Sequence, residues 1–312
     1  MKKIAIILPA YNEEATIRLT IEDFNKHAPE AEIWVANNLS TDSTESISLN
    51  TLNKLKCKGG VLNVRRSGKG NGIRCAFDEV EADIFVVADA DLTYPAAEIY
   101  KLLQPIVAGE AEMVVGDRHV GGHYAKENKR QFHNFGNKMI RNLVNWLFAT
   151  SLSDILSGYR VFSRRFVKTY PVMAAGFDVE LDMTLHALDK RLHIKEVSIS
   201  YQDRPTGSVS KLNTFKDGIR VILTLLNIFR YYRPLKLFGT MSFLLFFLGL
   251  IIGYPVIKEF LETGYVSLIP SAILASAIEI VAIITAAVAL ILDSIAYLDR
   301  RAFEREFINS KK

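Results

Sequence analysis

Two long apolar stretches near the end of the chain restrict its fold more than any other feature of the sequence. Residues 238–257 form a run of 20 without a charge, and residues 268–292 form a run of 25 with one charge, Glu279. About 20 apolar residues are enough for a helix to cross the hydrocarbon core of a bilayer. Too little sequence remains to build a second domain around both stretches. The sequence therefore predicts a hairpin of two transmembrane helices.

The basic residues that flank these stretches predict the orientation of the hairpin. Residues 211–236 contain six basic residues and one acid, and three arginines follow the second stretch, whereas the connector at 258–267 contains a single Lys. The positive-inside rule then places both ends of the hairpin in the cytoplasm. The two isolated cysteines, Cys57 and Cys75, fit the same reducing compartment. We expect a multi-pass protein of the cell (plasma or inner) membrane, with the domain before the hairpin and both termini cytoplasmic.

A segment before the first stretch has the pattern of an interfacial helix. Residues 214–232 carry apolar residues at helical spacing with basic residues between them, which suits anionic head groups and phosphates. The aromatic-basic pattern of a nucleic-acid module is missing, so we expect no nucleic-acid partner. The predicted organisation is a cytoplasmic domain at 1–212, an interfacial helix at 213–236, two transmembrane helices within 237–292 (about 238–257 and 268–292) and a charged cytoplasmic tail at 293–312.

The first two thirds of the chain alternate between short β-branched runs and segments of helical periodicity. This alternation predicts an α/β fold with a mostly parallel sheet covered on both faces. In such sheets ligands bind beyond the carboxyl ends of the strands. The predicted strands are 3–8, 32–35, 61–64, 84–88, 113–115 and 194–201, and the predicted helices are 14–27, 43–55, 71–79, 95–107, 130–148 and 180–190.

Two carboxylates one residue apart, Asp89 and Asp91, follow the apolar run 84–88. Carboxylate oxygens at the end of a buried strand are ligands that suit Mg²⁺ or Mn²⁺, and such a metal neutralises a departing diphosphate. Asp is also common at a strand-to-turn transition for conformational reasons. Taken alone, the pair leaves both interpretations open.

Further motifs follow the other predicted strands, and as an ordered set they are highly specific. Together with Asp89-Ala90-Asp91 they resemble glycosyltransferase family 2, and within it the polyprenyl-phosphate branch of dolichol-phosphate mannose synthase-like enzymes. The resemblance covers about residues 3–212. The motifs are Pro9-Ala10-Tyr11-Asn12-Glu13-Glu14, Asn37-Asn38, Arg66-Ser67-Gly68-Lys69-Gly70, Gly116-Asp117-Arg118, Asp154-x-x-Ser157-Gly158-Tyr159-Arg160, Phe177-Asp178-Val179-Glu180 and Arg204-Pro205-x-Gly207-Ser208-x-Ser210-Lys211.

The resemblance implies a glycosyltransferase-A fold and a metal-dependent, inverting transfer of a hexose. The implied donor is a nucleotide-sugar and the implied acceptor a polyprenyl phosphate in the membrane, giving a polyprenyl-phosphate-sugar for modification of cell-envelope glycans. The residues implied near the reacting centre are Asp154, Glu180 and Arg118. Those implied to bind the nucleotide or donor are Pro9, Tyr11, Glu13, Asn37, Lys69 and Asp89. Asp89 and Asp91 are the implied ligands of Mg²⁺ or Mn²⁺, and Arg204, Ser208, Ser210 and Lys211 are implied to grip the acceptor phosphate.

The nature of the acceptor decides whether a general base is needed. An alcohol acceptor needs a carboxylate to remove its proton, whereas a phosphomonoester, with a second pKa of roughly 6, already carries a nucleophilic oxygen at neutral pH. Asp154 and Glu180 then either act as bases or only position cationic groups or the sugar. Both roles stay open from the sequence.

Two departures from the family pattern affect the donor and the metal. The family usually has an Asp that reads the base at the position of Asn37, and Asn38 follows it here. A carboxylate only accepts hydrogen bonds and suits guanine, whereas an amide also donates and fits uracil, which favours UDP-glucose or UDP-N-acetylglucosamine. Thr93 stands where the dolichol-type enzymes often have Gln, which leaves the metal geometry open.

Several alternatives to this activity also remain. Within the same class, the alternatives are a GDP-mannose-dependent dolichyl- or polyprenyl-phosphate mannose synthase and an amino-arabinose transferase. A processive polysaccharide synthase usually has a Gln-x-x-Arg-Trp element and more membrane helices, which the sequence lacks. A non-enzymatic scaffold for lipid-linked glycans would have no need to keep metal and phosphate ligands together.

Glu279 lies about midway along the second apolar stretch, where a charge is costly. We interpret it as a packing residue, because chemistry at the metal belongs outside the membrane. Small residues around it favour helix–helix contact, so we expect a homo-oligomer. These residues are Ala275, Ser276, Ala282 and Ala286.

Overall fold

The computed structural model of the chain describes residues 2–119, 131–176, 178–201 and 226–309. These residues divide into two compact units, one with the described residues before 218 and after 304, the other with residues 226–304. The segment from 204 to 211, which contains the four residues predicted to grip the acceptor phosphate, lies outside the described residues. So does most of the predicted interfacial helix, of which residues 226–232 are described as helical.

The first unit is built on a seven-stranded sheet. Its strands are β1 (Ile4–Ala10), β2 (Glu32–Asn37), β3 (Gly59–Asn63), β4 (Ile84–Val87), β5 (Met113–Asp117), β6 (Arg160–Ser163) and β7 (Ile194–Ser198). Its helices are α1 (Ile17–His27), α2 (Thr44–Leu55), α3 (Lys69–Glu79), α4 (Ile99–Val107, preceded by a 3₁₀ turn at Ala96–Glu98), α5 (Gln131–Phe148), α6 (Arg164–Thr169) and α7 (Val179–Asp189).

The strands lie in the order β3-β2-β1-β4-β6-β5-β7. All neighbouring pairs are parallel except those of β6, which runs antiparallel to both β4 and β5. All four residues of β4 are buried, as expected for a central strand of a sheet covered on both faces. The predicted α/β fold with a mostly parallel sheet is confirmed.

The antiparallel strand β6 and the helix α6 after it are the elements that the sequence did not predict. Arg160 opens β6 and is 1% exposed, so a charged residue stands where a buried strand normally shows an apolar one. Its guanidinium donates to the backbone oxygens of Ser157 and Ile155, both at 2.8 Å, and to Thr184 Oγ1 at 2.9 Å. These hydrogen bonds satisfy the buried charge. Because Arg160 is charged, it breaks the apolar pattern of the strand, and hydrophobic periodicity alone did not predict β6.

The register of the sheet brings the ends of several strands to one edge. Ala10 of β1 pairs with Asn37 of β2, and Ile7 pairs with Val87 of β4. Because β6 is antiparallel, its first residue, Arg160, pairs with Val87 on one side and with Val115 on the other. The residues just before β6 therefore lie at the edge where β1, β2, β4 and β5 end.

The second unit contains the long helix α8 (Pro234–Thr263) and most of α9, which begins at Ile269 and runs on to Asn309. The last residues of α9, 305–309, belong to the first unit. In the most apolar 18 residues of each helix, only 6% (α8) and 22% (α9) of the stretch is buried. The core helices of a soluble protein are mostly buried, and exposed apolar surface of this extent indicates a membrane. Both helices match the predicted stretches, and α9 extends as a helix through the residues predicted as a charged tail.

Glu279 faces the other helix of the hairpin. A Cβ on Gly249 would lie 2.4 Å from Glu279 Oε1, so the carboxyl group packs closely against α8. This oxygen is buried and makes no hydrogen bond to any described residue. Nearby, Ser242 donates to the backbone oxygen of Ala282 at 2.8 Å, which ties the two helices together.

Candidate active site

The loops after β1 and β2 interlock at the edge of the sheet. The Asn12 backbone N–H donates to Ser40 Oγ at 3.1 Å, and Asn12 Oδ1 accepts from the Thr41 N–H at 2.8 Å. The Glu13 N–H donates to Thr44 Oγ1 at 2.8 Å. These bonds fix the predicted nucleotide loop, in which Tyr11 is 46% exposed. Pro9 is the second-last residue of β1.

The two asparagines at the end of β2 are buried and hold other parts of the site. The Asn38 side-chain amide donates to the Gly68 oxygen at 2.7 Å and accepts from the Gly68 N–H at 2.7 Å. The Asn37 amide donates to Asn63 Oδ1 at 3.1 Å and accepts from the Ser40 N–H at 3.3 Å. A carboxylate could not make the donating bond of either pair, so the amide at Asn38 has a structural reason that sequence reasoning missed.

The glycine-rich loop before α3 passes close under another segment of backbone. Gly68 has a φ of +121°, and a Cβ there would lie 2.1 Å from the Ala175 oxygen. The Gly70 N–H donates to the same oxygen at 3.1 Å. Only glycine combines this φ with so close an approach, and the loop delivers Lys69 to the first turn of α3.

Lys69 joins two carboxylates that are far apart in the sequence. Its ammonium forms ion pairs with Asp89 Oδ1, beyond β4, and with Glu180 Oε1, in the first turn of α7. The side chains of Lys69 and Glu180 are 10% and 9% exposed and that of Asp89 is 26% exposed. Burial by itself would lower the pKa of Lys69, but the two carboxylates outweigh it and hold the pKa above its usual value. The lysine is therefore a permanent cation at the edge of the sheet.

Gly158 packs directly against Asp89. A Cβ on Gly158 would lie 2.8 Å from Asp89 Oδ2, and the Gly158 N–H donates to the Tyr94 hydroxyl at 2.9 Å. Burial raises the pKa of Tyr94, so its hydroxyl stays neutral. The absent side chain at 158 is what leaves room for the Asp89 carboxylate.

Asp91 is turned into the protein by Thr93. Its Oδ1 accepts from the Thr93 hydroxyl at 2.6 Å and from the Thr93 N–H at 3.2 Å, and both residues are buried. Thr93 therefore orients the second carboxylate of the pair. The carboxylates of Asp89 and Asp91 are hard oxygen donors of the kind that suits Mg²⁺ or Mn²⁺. The Asp89 side chain is 26% exposed, whereas Asp91 is buried.

Arg118 and Asp154 form a second, bidentate ion pair. Arg118 Nε lies 2.7 Å from Asp154 Oδ2 and Nη2 lies 2.9 Å from Oδ1. The Asp154 side chain is only 2% exposed. Burial would raise the pKa of Asp154, but the hydrogen bonds and charge of Arg118 outweigh it and lower the pKa. A carboxylate held in this way is a weak base and a good support for the guanidinium.

Asp117 and His119 flank this ion pair and were not among the predicted site residues. Ligand atoms of Asp117, His119 and Asp154 lie within 4.8 Å of one another. Both Asp154 oxygens already accept hydrogen bonds from Arg118, so the guanidinium supplies the positive charge of this cluster. The motif Gly116-Asp117-Arg118 signalled the position but not the grouping.

The structure thus brings most of the predicted site residues to one edge of the sheet. Lys69 is in direct contact with both Asp89 and Glu180. Pro9, Tyr11, Glu13 and Asn37 lie in the adjoining loops. Phe177 and the residues from 204 to 211 lie outside the described part of the chain.

The chain is similar in sequence to several known proteins. The family model described as glycosyl transferase family 2 matches residues 5–170. Glycosyltransferase AglJ of Haloferax volcanii is 29% identical over 77% of this chain and 76% of the relative. Polyprenol monophosphomannose synthase of Mycolicibacterium smegmatis is 24% identical over 68% of this chain and 82% of the relative.

A solved structure shares the fold. It is glucosyl-3-phosphoglycerate synthase from Mycobacterium tuberculosis in complex with Mn²⁺, uridine diphosphate and phosphoglyceric acid. The TM-score is 0.55 at 24% identity, over 73% of this chain and 78% of the other. The likeness supports the same arrangement of sheet and helices.

Proposed function

Because the chain belongs to glycosyl transferase family 2, we propose that it transfers a hexose from a nucleotide-sugar to a polyprenyl phosphate at the cytoplasmic face of a membrane. One observation carries the proposal. A buried cation, Lys69, and a pair of strand-end carboxylates stand together in a chain that also has two long, exposed apolar helices. The first feature suits a diphosphate and the second suits a lipid acceptor.

The donor end of the site is built from Asp89, Asp91 and Lys69. Asp89 and Asp91 would hold Mg²⁺ or Mn²⁺, which when bound neutralises the charge on the departing nucleoside diphosphate. Lys69 is a permanent cation at the start of α3, where backbone N–H groups also favour phosphate. Tyr11, which is 46% exposed, is proposed to stack on the base.

The acceptor end is served by Arg118, with Asp154 as its support. The bidentate contact fixes the plane of the guanidinium, and the Arg118 side chain remains 11% exposed. A phosphomonoester acceptor needs no strong base at neutral pH. Asp154, whose pKa is lowered, therefore positions Arg118, and direct attack by a phosphate oxygen on the anomeric carbon inverts its configuration.

The membrane hairpin is proposed to hold the chain at the bilayer that contains the lipid acceptor. The M. smegmatis relative is named for a polyprenol phosphate product, which supports the same class of acceptor here. Arg204, Ser208, Ser210 and Lys211 are proposed to grip the acceptor phosphate, and the second unit to anchor the chain with both termini cytoplasmic and to form the contact of a homo-oligomer.

The identity of the sugar is a finer part of the proposal. UDP-glucose and UDP-N-acetylglucosamine are the proposed donors, because an amide at position 37 fits uracil better than guanine. In the structure this amide also bonds Asn63 and Ser40, so reading the base would use it in addition to these contacts. Mannose is the second candidate, supported by the name of the M. smegmatis relative. An amino-arabinose donor belongs to the same class.

The test is transfer of radiolabel by the full-length chain in lipid nanodiscs. Labelled UDP-glucose, UDP-N-acetylglucosamine and GDP-mannose are supplied separately with undecaprenyl phosphate and Mn²⁺ or Mg²⁺. We expect one donor to label the organic phase, only with metal, and we expect Asp91→Asn to abolish the transfer. Asp78→Asn, on the exposed face of α3, is the matched control. No transfer from any donor, together with no nucleotide binding by calorimetry, would favour the scaffold alternative.

A further inference from the structure

We propose that Lys69 and the divalent metal compete for Asp89, and that Glu180 is the positioning residue that keeps Lys69 in the site when it releases Asp89. The inference rests on the proposed function, since it assumes that Asp89 binds a metal and that a diphosphate follows. It assigns to Glu180 a role exerted through Lys69 rather than contact with the reacting atoms.

Both carboxylate oxygens of Asp89 already have close neighbours, which restricts how a metal ion can reach them. Oδ2 faces the backbone of Gly158, where even a methyl group would come within 2.8 Å. Oδ1 is in contact with the Lys69 ammonium. A dication that binds Asp89 therefore meets a monocation at the same carboxylate, and like charges at this distance repel strongly.

Glu180 resolves this conflict by giving Lys69 a second partner. The ammonium has three donors, and one of them already lies on Glu180 Oε1. Glu180 comes from α7, an element separate from both the glycine-rich loop and β4. When Asp89 turns to the metal, Lys69 stays paired with Glu180 and its remaining donors become available to the phosphate oxygens that accompany the metal.

This exchange makes metal binding and nucleotide binding depend on Lys69 with opposite sign. For the metal alone, Lys69 is a competitor. For the nucleotide with the metal, Lys69 is a ligand. A lysine with a purely structural role would not give opposite effects on the two affinities.

The experiment measures binding of Mn²⁺ alone to the full chain in nanodiscs, by the loss of the free-ion electron paramagnetic resonance signal. UDP and GDP are then titrated in separate arms with Mn²⁺ present. We expect Lys69→Met to tighten Mn²⁺ binding about tenfold, which is ~1.4 kcal/mol, and to weaken binding of the nucleotide by a similar factor. Among the described residues, Glu180→Gln leaves Lys69 with Asp89 as its only carboxylate partner, so Mn²⁺ should bind several-fold more weakly.

The double variant separates positioning from direct ligation. If Glu180 acts through Lys69, the Lys69→Met/Glu180→Gln protein binds Mn²⁺ as Lys69→Met does. A further loss in the double variant would make Glu180 a metal ligand and overturn the inference. The double variant also removes the Glu180 carboxylate that Lys69→Met leaves unpaired. If Lys69→Met folds poorly, the double variant is compared with Glu180→Gln instead, and the inference expects it to bind Mn²⁺ more tightly than Glu180→Gln does, because the competing ammonium is gone.

Matched and reference arms keep the two proposals distinguishable. Lys195→Met removes an exposed lysine from its ion pair with Glu110 and should change neither affinity. If the wild type binds neither nucleotide with Mn²⁺, the proposed function fails and the inference fails with it. Suppose instead that the wild type binds a nucleotide, and that Lys69→Met binds Mn²⁺ alone no more tightly than the wild type does. Only the inference is then overturned.

Discussion

Replacing Gly158 by alanine should damage catalysis far more than stability. The new Cβ would lie 2.8 Å from Asp89 Oδ2 and 3.2 Å from Asp89 Cγ. To restore an ordinary contact of 3.4 Å the carboxylate must retreat by about 0.6 Å. Since a misplacement of ~1 Å near reacting groups can cost about 100-fold in rate, we expect kcat/KM to fall by between about tenfold and about 100-fold.

The stability cost of the same change should be small. Overpacking costs ~1–3 kcal/mol in a rigid core, but the Asp89 side chain is 26% exposed and is able to move. The lower end, about 1 kcal/mol, is expected. Thermal unfolding in nanodiscs measures this quantity, and the radiolabel transfer assay measures kcat/KM on the same preparation.

Gly60→Ala is the control for the introduction of a methyl group. Its Cβ would make only an ordinary contact, 3.4 Å from the Trp34 ring, on strand β3 and away from Asp89. It should keep wild-type kcat/KM. If Gly158→Ala also kept wild-type kcat/KM, or if it lost activity only because it unfolded, the argument that Gly158 makes room for a functional carboxylate would be refuted.

Three further changes test other parts of the structure. Asn38→Asp removes the donor to the Gly68 oxygen and should cost ~1–3 kcal/mol and raise the KM for the nucleotide-sugar, both measurable on purified protein. Asp154→Asn should cost ~3 kcal/mol at pH 7 by leaving Arg118 without its anionic partner. Because the pKa of Asp154 is lowered on folding, its stabilisation is complete above the unfolded pKa of about 3.9 and is lost as pH falls through the lower folded-state value. The difference from wild type in thermal unfolding should therefore narrow only below about pH 4. Phe307→Leu removes a ring whose centroid lies 3.4 Å from Cζ of the Arg165 guanidinium. The change should lower the free energy of unfolding by ~0.5–2 kcal/mol without changing kcat.

The sequence predicts the positions of Asp89 and Asp91 because a local rule governs them. An apolar run that ends in carboxylates marks the end of a buried strand, and the carboxyl ends of parallel strands share one edge. The two apolar stretches likewise follow from length and composition alone. Features of this kind depend on neighbours in the chain.

Other features of the site depend on residues that the chain separates widely. Lys69 meets Glu180 across 111 positions, and Asn38 meets Gly68 across 30. The strand β6 was missed because Arg160 breaks its apolar pattern, although the fold buries and satisfies that charge. Spacing and periodicity carry no record of such contacts, which arise only from the packing of one element on another.

The most direct test of the account compares two lipids that differ only in the phosphate. Full-length protein in nanodiscs receives Mn²⁺, the labelled donor that it uses, and either undecaprenyl phosphate or undecaprenol. The account predicts label in the organic phase with undecaprenyl phosphate and none with undecaprenol. The phosphate supplies the nucleophilic oxygen, and it is also the group that Arg118, positioned by Asp154, is proposed to bind. Equal labelling of undecaprenol would contradict it and would require a general base at the site.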